Sequence, residues 1–542
     1  MNQTNPKREN IYYLSGLFSL IVAFVIFKLQ HLSLPFYWDE AWPFSHAVHK
    51  MYENGLSLLP DAIPTEISRG HPLLFHFLAA AWMKVFGTSL VAINAFPLFL
   101  SVLLIISIYM FGKKFLSRDA GLLAALIFCL QAVFLAQSSF LLLEVMLALL
   151  GIWTFYFYLT KQRIWYIVFA TLLMMTKESG IVVVAVLSAW EIVRLLFLNK
   201  TYKKEVKTFL LNILIIVIPV FLVAIYFVVQ KIIHGWFFFP LHVDFMSFTP
   251  GIIKTKFFII LNFIFFAQGR YIITLLILIA LVVHLFIRKS KFIESKWEVM
   301  SLLTLFILAF AVFSSLNFLS NRYLLITLPP LALIFAHLMI ESFKLMRGLL
   351  VLAIVMSVVI LVIFNTKKIN NHDDNLGYID QVKVHQKMVD YCEQENLFDK
   401  SIYSHFLMRV NLTSPYAGYL SDTNKKFNKV VPEFSEDVDY CIFSAIEYYP
   451  VFDSVKLAAE LEAVKEFRKN TAWVTLYKVI SPQAPIDTAA NALYEKRVRF
   501  YIDKIKKDSE WLKMVKKKAG KKNIPLDSMI RLDAIYMVEQ EK

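Results

Sequence analysis

Apolar runs long enough to cross a bilayer recur along this chain from Ile11 to Phe364 and then stop. A spanning helix needs about 20 predominantly apolar residues, because lipid offers its backbone no hydrogen-bond partners. No soluble globular domain needs so much apolar surface: 58% of the 542 residues are hydrophobic. The pattern predicts a mostly α, polytopic helical membrane protein. The break after Phe364 predicts a water-exposed domain beyond it. Net charge is +15. Lys and Arg collect between the apolar runs, as in cytoplasmic loops, so the charge reads as topology and not as nucleic-acid binding.

Placing the basic loops inside predicts about eleven spans. Lys7 and Arg8 put the N-terminus in the cytoplasm, and no A-x-A-like site follows the first run, which reads as a retained helix over 11–30. The segment 71–87 is short and carries Lys84. Counting it as a surface helix keeps Lys113, Lys114 and Arg118 inside. Spans then follow at 89–112, 120–138 and 145–160, with Lys161 and Arg163 inside. The stretch 164–198 is too long for one helix and is broken by Thr176-Lys177-Glu178-Ser179-Gly180, so it reads as two short spans meeting outside. A span over 208–230 follows the basic residues 200–207. Then come a surface helix over 257–267, a span over 271–287 ending at Arg288, Lys289 and Lys291, and spans over 298–317, up to 342 and 348–364. This order leaves the C-terminus outside.

Three regions result: a transmembrane part over 1–364, an extracytoplasmic soluble α/β domain over 365–482 and a basic helical segment over 483–542. Residues 378–396 have helical periodicity. Residues 439–445 and 472–480 are rich in Val, Ile, Tyr and Phe and read as strands. Ser481-Pro482-Gln483-Ala484-Pro485 reads as a linker, and the Lys516-Lys517-Lys518 run as a solvated helix face. Cys129, Cys392 and Cys441 give no disulfide framework and no zinc spacing; Cys392 and Cys441 are left as either a pair or two free thiols.

This topology gathers a particular set of charges at the outer face: Asp39, Glu40, Glu66, Arg69, His71, Glu144, Lys177, Glu178, His242, Arg270 and Arg322. Most stand at span boundaries. Tyr37-Trp38-Asp39-Glu40-Ala41-Trp42 is the densest group, with a carboxylate pair flanked by the aromatic that favours the interface. Carboxylates beside cations at one face suit a reaction on a lipid-linked phosphate. The cations hold phosphate and a carboxylate takes the proton of an attacking hydroxyl.

The motifs resemble those of GT-C glycosyltransferases of the protein O-mannosyltransferase and aminoarabinose-transferase type, family 39 and its relatives. The resemblance runs over about 11–364. It is carried by Trp38-Asp39-Glu40 after the first span and Gly70-His71-Pro72-Leu73 opening the surface helix. Glu144 after Ser138-Ser139, Thr176-Lys177-Glu178, and Arg322-Tyr323-Leu324-Leu325 before Leu328-Pro329-Pro330 continue it. It implies that Asp39 is the catalytic carboxylate, that Glu40 supports it through hydrogen bonds and that Glu144 is a second acid, where the family often has Asp. Lys177, Arg322 and Arg69 would bind the donor phosphate. The donor would be a polyprenyl-phosphate sugar and transfer would invert the anomeric carbon. The acceptor would be a lipid, a glycan or a protein, and the enzyme would sit in the inner (plasma) membrane with a periplasmic C-terminal domain. Some relatives hold a divalent metal at this face, for which His71, His242 and Glu66 are the available ligands, although a Pro-Pro pair of the relatives is here His71-Pro72. A transporter or flippase of lipid-linked sugars and a ligase with a diphosphate-linked donor are the competing readings. The first would place its charges at mid-membrane depth, which these spans do not.

Overall fold

A computed structural model describes residues 6–198, 206–283, 296–344, 346–367, 370–422, 424–435, 437–446, 455, 459–482, 486–522 and 525–540. The expected basic positions Lys200, Lys203, Lys204, Arg288, Lys289 and Lys291, and the linker residues 483–485, lie outside the described residues. Two compact units form. One comprises 1–383 with 416–419, the other 384–415 with 420–542.

The first unit is helical. Among the described residues, seven helices are long and apolar enough to cross a membrane. An eighth span arises if Pro250–Phe265 and Arg270–Ile279, bent by 82°, count as one. Glu144–Leu159 and Arg163–Thr176 are apolar but shorter. The surface helix expected over 71–87 is Leu74–Phe86, ended by Gly87 at φ +89°. The expected surface helix at 257–267 starts earlier, with Pro250 in its first turn, where a missing N–H costs nothing.

Two features of the packing follow directly from residue type. Helices Leu90–Phe115 and Arg118–Cys129 turn back on each other at Ser117, whose side chain caps the second by accepting the Ala120 N–H at 3.0 Å. They approach so closely that a Cβ on Gly112 would lie 2.4 Å from the Gly121 Cα, so only glycine fits that crossing. The span expected over 120–138 is not one helix. It stops at Cys129 and resumes over Ala132–Gln137. Gln131, buried in the break, donates to the Ile127 carbonyl at 2.8 Å and accepts from Arg270 at 2.9 Å.

The second unit holds a five-stranded sheet. Its strands are β1 (Ser401–Ser404), β2 (Lys429–Val431), β3 (Tyr440–Ser444), β4 (Ala459–Lys469) and β5 (Ala472–Pro482), in the order β2-β1-β3-β5-β4. β1 runs parallel to β2 and β3, while β5 is antiparallel to both β3 and β4. Cys392 and Cys441 are both buried free thiols, so the pair does not form. The basic tail folds as three helices, Ile486–Lys507, Ser509–Lys522 and Leu526–Gln540, around Val498, Ile505, Val515 and Ile530. Lys518 of the lysine run is paired with Asp533 at 2.8 Å.

Candidate active site

The turn Trp38–Glu40 follows the first membrane helix, Pro6–Leu29, and sends its two acids in opposite directions. Trp38 adopts a left-handed backbone, φ +54°, which costs a non-glycine residue roughly 1 kcal/mol or more. Glu40 points inward. Its carboxylate accepts the Tyr37 N–H at 3.1 Å and the Leu141 N–H at 2.7 Å, tying the first interhelical segment to the one before Glu144. Burial pushes its carboxyl up to about 8, against the pull of these two N–H groups and of Lys28. Glu40 is thus a buried brace between two backbone segments. Asp39 points outward, a third exposed, and its carboxylate pairs with Arg322.

Arg322 joins the separate segments. It stands in the 3-10 turn Asn321–Thr327, ahead of the helix Leu328–Phe343 with Pro329 and Pro330 in its first turn. Its Nη2 meets Asp39, its Nη1 meets Asp373, and its Nε lies 3.9 Å from Glu144. Glu144 opens the helix Glu144–Leu159, where an anion is favoured by the helix dipole. It accepts from Lys177 Nζ at 3.1 Å. Lys177 stands in extended conformation at the break between Arg163–Thr176 and Ile181–Val193, at the C-terminal end of the first, where a cation is favoured. Its ammonium lies 3.8 Å from the centroid of the Tyr323 ring. Asp39, Glu144, Lys177 and Arg322, four residues chosen from the sequence, therefore share one cluster.

Asp373 was not among them. It lies six residues beyond the last apolar helix, Arg347–Lys367, in a stretch with no periodicity or motif to mark it. Burial holds its carboxyl above the ordinary value despite Arg322.

A second group forms beside Lys177. His71 Nδ1 lies 2.9 Å from Glu178, and the His71 and His242 rings are 4.9 Å apart. The ligating atoms of His71, Glu178 and His242 all fall within 4.8 Å of one another. Gly70 makes this approach feasible. Its φ is +66°, and a Cβ there would meet Phe239 at 2.7 Å and the Trp236 ring at 3.0 Å, so glycine lets the segment bearing His242 close on His71. Burial and the neighbouring His71 push the His242 imidazole down to about 4, which keeps it neutral and its lone pair free for a metal. Glu66 is exposed and stands outside this group; Glu178, which the sequence placed among the outer-face charges, stands in it instead. Arg69 lies over the Trp42 ring at 4.8 Å. Arg270, also expected at this face, is buried among Gln131, Gln268 and the Phe263 carbonyl.

Helical spans with carboxylates and cations meeting at their ends give a fold similar to that of membrane transferases of the GT-C type. Residues 70–227 match the family model described as dolichyl-phosphate-mannose-protein mannosyltransferase, a stretch that includes His71, Glu144, Lys177 and Glu178. The fold is similar to that of ArnT from Cupriavidus metallidurans in the apo state, at TM-score 0.52 and 12% identity, covering 85% of this chain and 98% of that one. The same protein bound to undecaprenyl phosphate matches at TM-score 0.53 and 11% identity, covering 87% and 98%. No curated protein matches by sequence.

Proposed function

We propose that this enzyme moves a sugar from a polyprenyl-phosphate donor to a hydroxyl acceptor, with inversion, at the extracytoplasmic face of the inner (plasma) membrane. The observation that carries the reading is the junction of Asp39 with Arg322, beside the Glu144–Lys177 pair. A partly exposed carboxylate able to take a proton stands next to cations able to hold a phosphate. The N-terminus is cytoplasmic and the C-terminal domain extracytoplasmic.

In this mechanism Arg322 and Lys177 bind the phosphate that links sugar to lipid. They stabilise the negative charge that grows on it as the glycosidic bond breaks. Asp39 accepts the proton of the acceptor hydroxyl as its oxygen attacks the anomeric carbon from the opposite side, and a single displacement inverts that carbon. Glu144 fixes Lys177, and Glu40 fixes the turn that aims Asp39. The site charges stand at helix ends, which favours a reaction at one face over passage through the bundle. Support for a lipid phosphate comes from the undecaprenyl phosphate bound by ArnT. Purified protein given labelled polyprenyl-phosphate sugars and an envelope extract is expected to pass label from one of them to a non-lipid-phosphate product. Movement of intact donor across vesicles without such transfer would favour the flippase instead.

The His71–Glu178–His242 group fits a divalent metal. Two imidazoles and a carboxylate are a donor set suited to zinc, and their atoms lie close enough to converge on one ion. When bound, such an ion supplies fixed positive charge and holds the segment with His242 against the one with His71. Purified protein is expected to carry about one equivalent of metal by elemental analysis, on the expected three-ligand site. His71→Ala and His242→Ala should lose it, while Glu66→Ala should keep it. Retention by both histidine variants removes the metal from the site.

A further inference from the structure

Arg322 is 5% exposed, and carboxylates already face its nitrogens: Asp373 at Nη1, Asp39 at Nη2 and Glu144 toward Nε. If it binds the donor phosphate, as proposed above, one of them must give way. The charges make the same demand. Asp39, Glu144 and Asp373 set three negative charges against two positive ones on Lys177 and Arg322. A phosphodiester adds another negative charge, and like charges packed together are costly.

The three acids are not equally free to yield. Glu144 is 4% exposed, opens a helix and is hydrogen-bonded to Lys177. Asp39 has the proton to accept. Asp373 belongs to a non-helical segment whose backbone is held independently of its own carboxylate. The Tyr37 hydroxyl donates to the Asn371 carbonyl, Gln137 to the Asp373 carbonyl at 2.7 Å, and Gln268 to the Asp374 carbonyl at 3.0 Å. Asn321, next to Arg322, donates to the Asp374 carboxylate at 2.6 Å. With the main chain so anchored, the Asp373 side chain can leave Arg322 by rotation about its own bonds, without unfolding the segment.

We infer that Asp373 is a positioning residue that occupies the phosphate-binding Nη1 of Arg322 in the empty site and exchanges with the donor's phosphate when it binds. It keeps a buried guanidinium paired and aimed between turnovers, and it sets the affinity for lipid phosphate by competing with it. A purely structural anchor predicts the opposite sign on mutation.

The test is binding of undecaprenyl phosphate to the purified full-length protein. Asp373→Asn, which removes the competing charge and keeps the shape, is expected to bind about tenfold more tightly. Asp373→Ser provides the same measurement should the Asn variant not fold, and Asp373→Glu, which restores the charge, should return toward the parent. Equal or weaker binding by the neutral variants, with weaker binding by Arg322→Gln, overturns the role of Asp373 and leaves the phosphate site standing. Binding by Arg322→Gln as tight as the parent's overturns the phosphate site, and the exchange with it.

Discussion

Asp39→Asn is expected to lower sugar transfer by about a thousandfold, within the range that a positioned general base contributes. The amide keeps the volume and one acceptor oxygen of the carboxylate, so the Trp38–Glu40 turn is retained. That turn is held by Glu40 and not by Asp39: the Glu40 carboxylate ties the Tyr37 and Leu141 amides, while Asp39 faces Arg322. What the variant lacks is a group able to accept a proton as the acceptor oxygen attacks. Its thermal stability should stay near that of the parent and its binding of lipid phosphate should not weaken, so the loss should fall on turnover. A variant that transfers within tenfold of the parent would mean that Asp39 does not accept the proton, and Glu144 would be the next carboxylate to test.

Arg322→Gln should damage both chemistry and folding. The guanidinium is the only residue in contact with Asp39, Glu144 and Asp373 together among the described residues, so its removal leaves carboxylates facing one another. Breaking a buried ion pair by deleting one partner costs about 3–5 kcal/mol, and the Arg322–Asp373 pair is of that kind. The Asp39 contact adds less, being 33% exposed on its acid side and open to solvent screening. A clear drop in melting temperature is therefore expected in detergent, together with a loss of transfer of about a hundredfold or more, the scale of one transition-state donor. Arg322→Lys should recover part of the stability but little of the transfer, because an ammonium cannot present two parallel N–H groups to a phosphate. A lowered melting temperature with unchanged lipid-phosphate binding would reduce Arg322 to a structural cross-link.

The residues expected from the sequence that do come together in space each carry a local signal. Lys177 and Glu178 break a largely apolar stretch over 164–198, and charge at membrane depth is costly. Asp39 and Glu144 follow or open apolar helices and are marked in the same way. Asp373 carries no such cost, because it lies in polar sequence, and its importance comes only from what it meets. The presence of Glu178, and not Glu66, beside His71 and His242 has a similar origin. Glu66 is near His71 in sequence, yet the turn through Arg69 and Gly70, both with positive φ, leaves it exposed while Glu178 arrives from another helix break.

The fold divides along the same line. Hydrophobic length alone determined that the chain is a multi-helix membrane protein with a soluble tail, since lipid permits few other solutions for such runs. β3 and β5 were legible because their residues are β-branched, aromatic and buried. β4 was not: it lies at the sheet edge, and Glu460, Glu462, Lys465 and Glu466 give it the charges with which an edge resists further pairing. The break at Gln131 was hidden for a related reason, because one amide in an apolar run does not say whether it will find a partner, and here Arg270 supplies one. The sequence by itself determined which side chains are too costly to be idle in a membrane. Only the tertiary structure decided which of them meet, because ion pairs and side-chain clusters are set by distances between segments far apart in the chain.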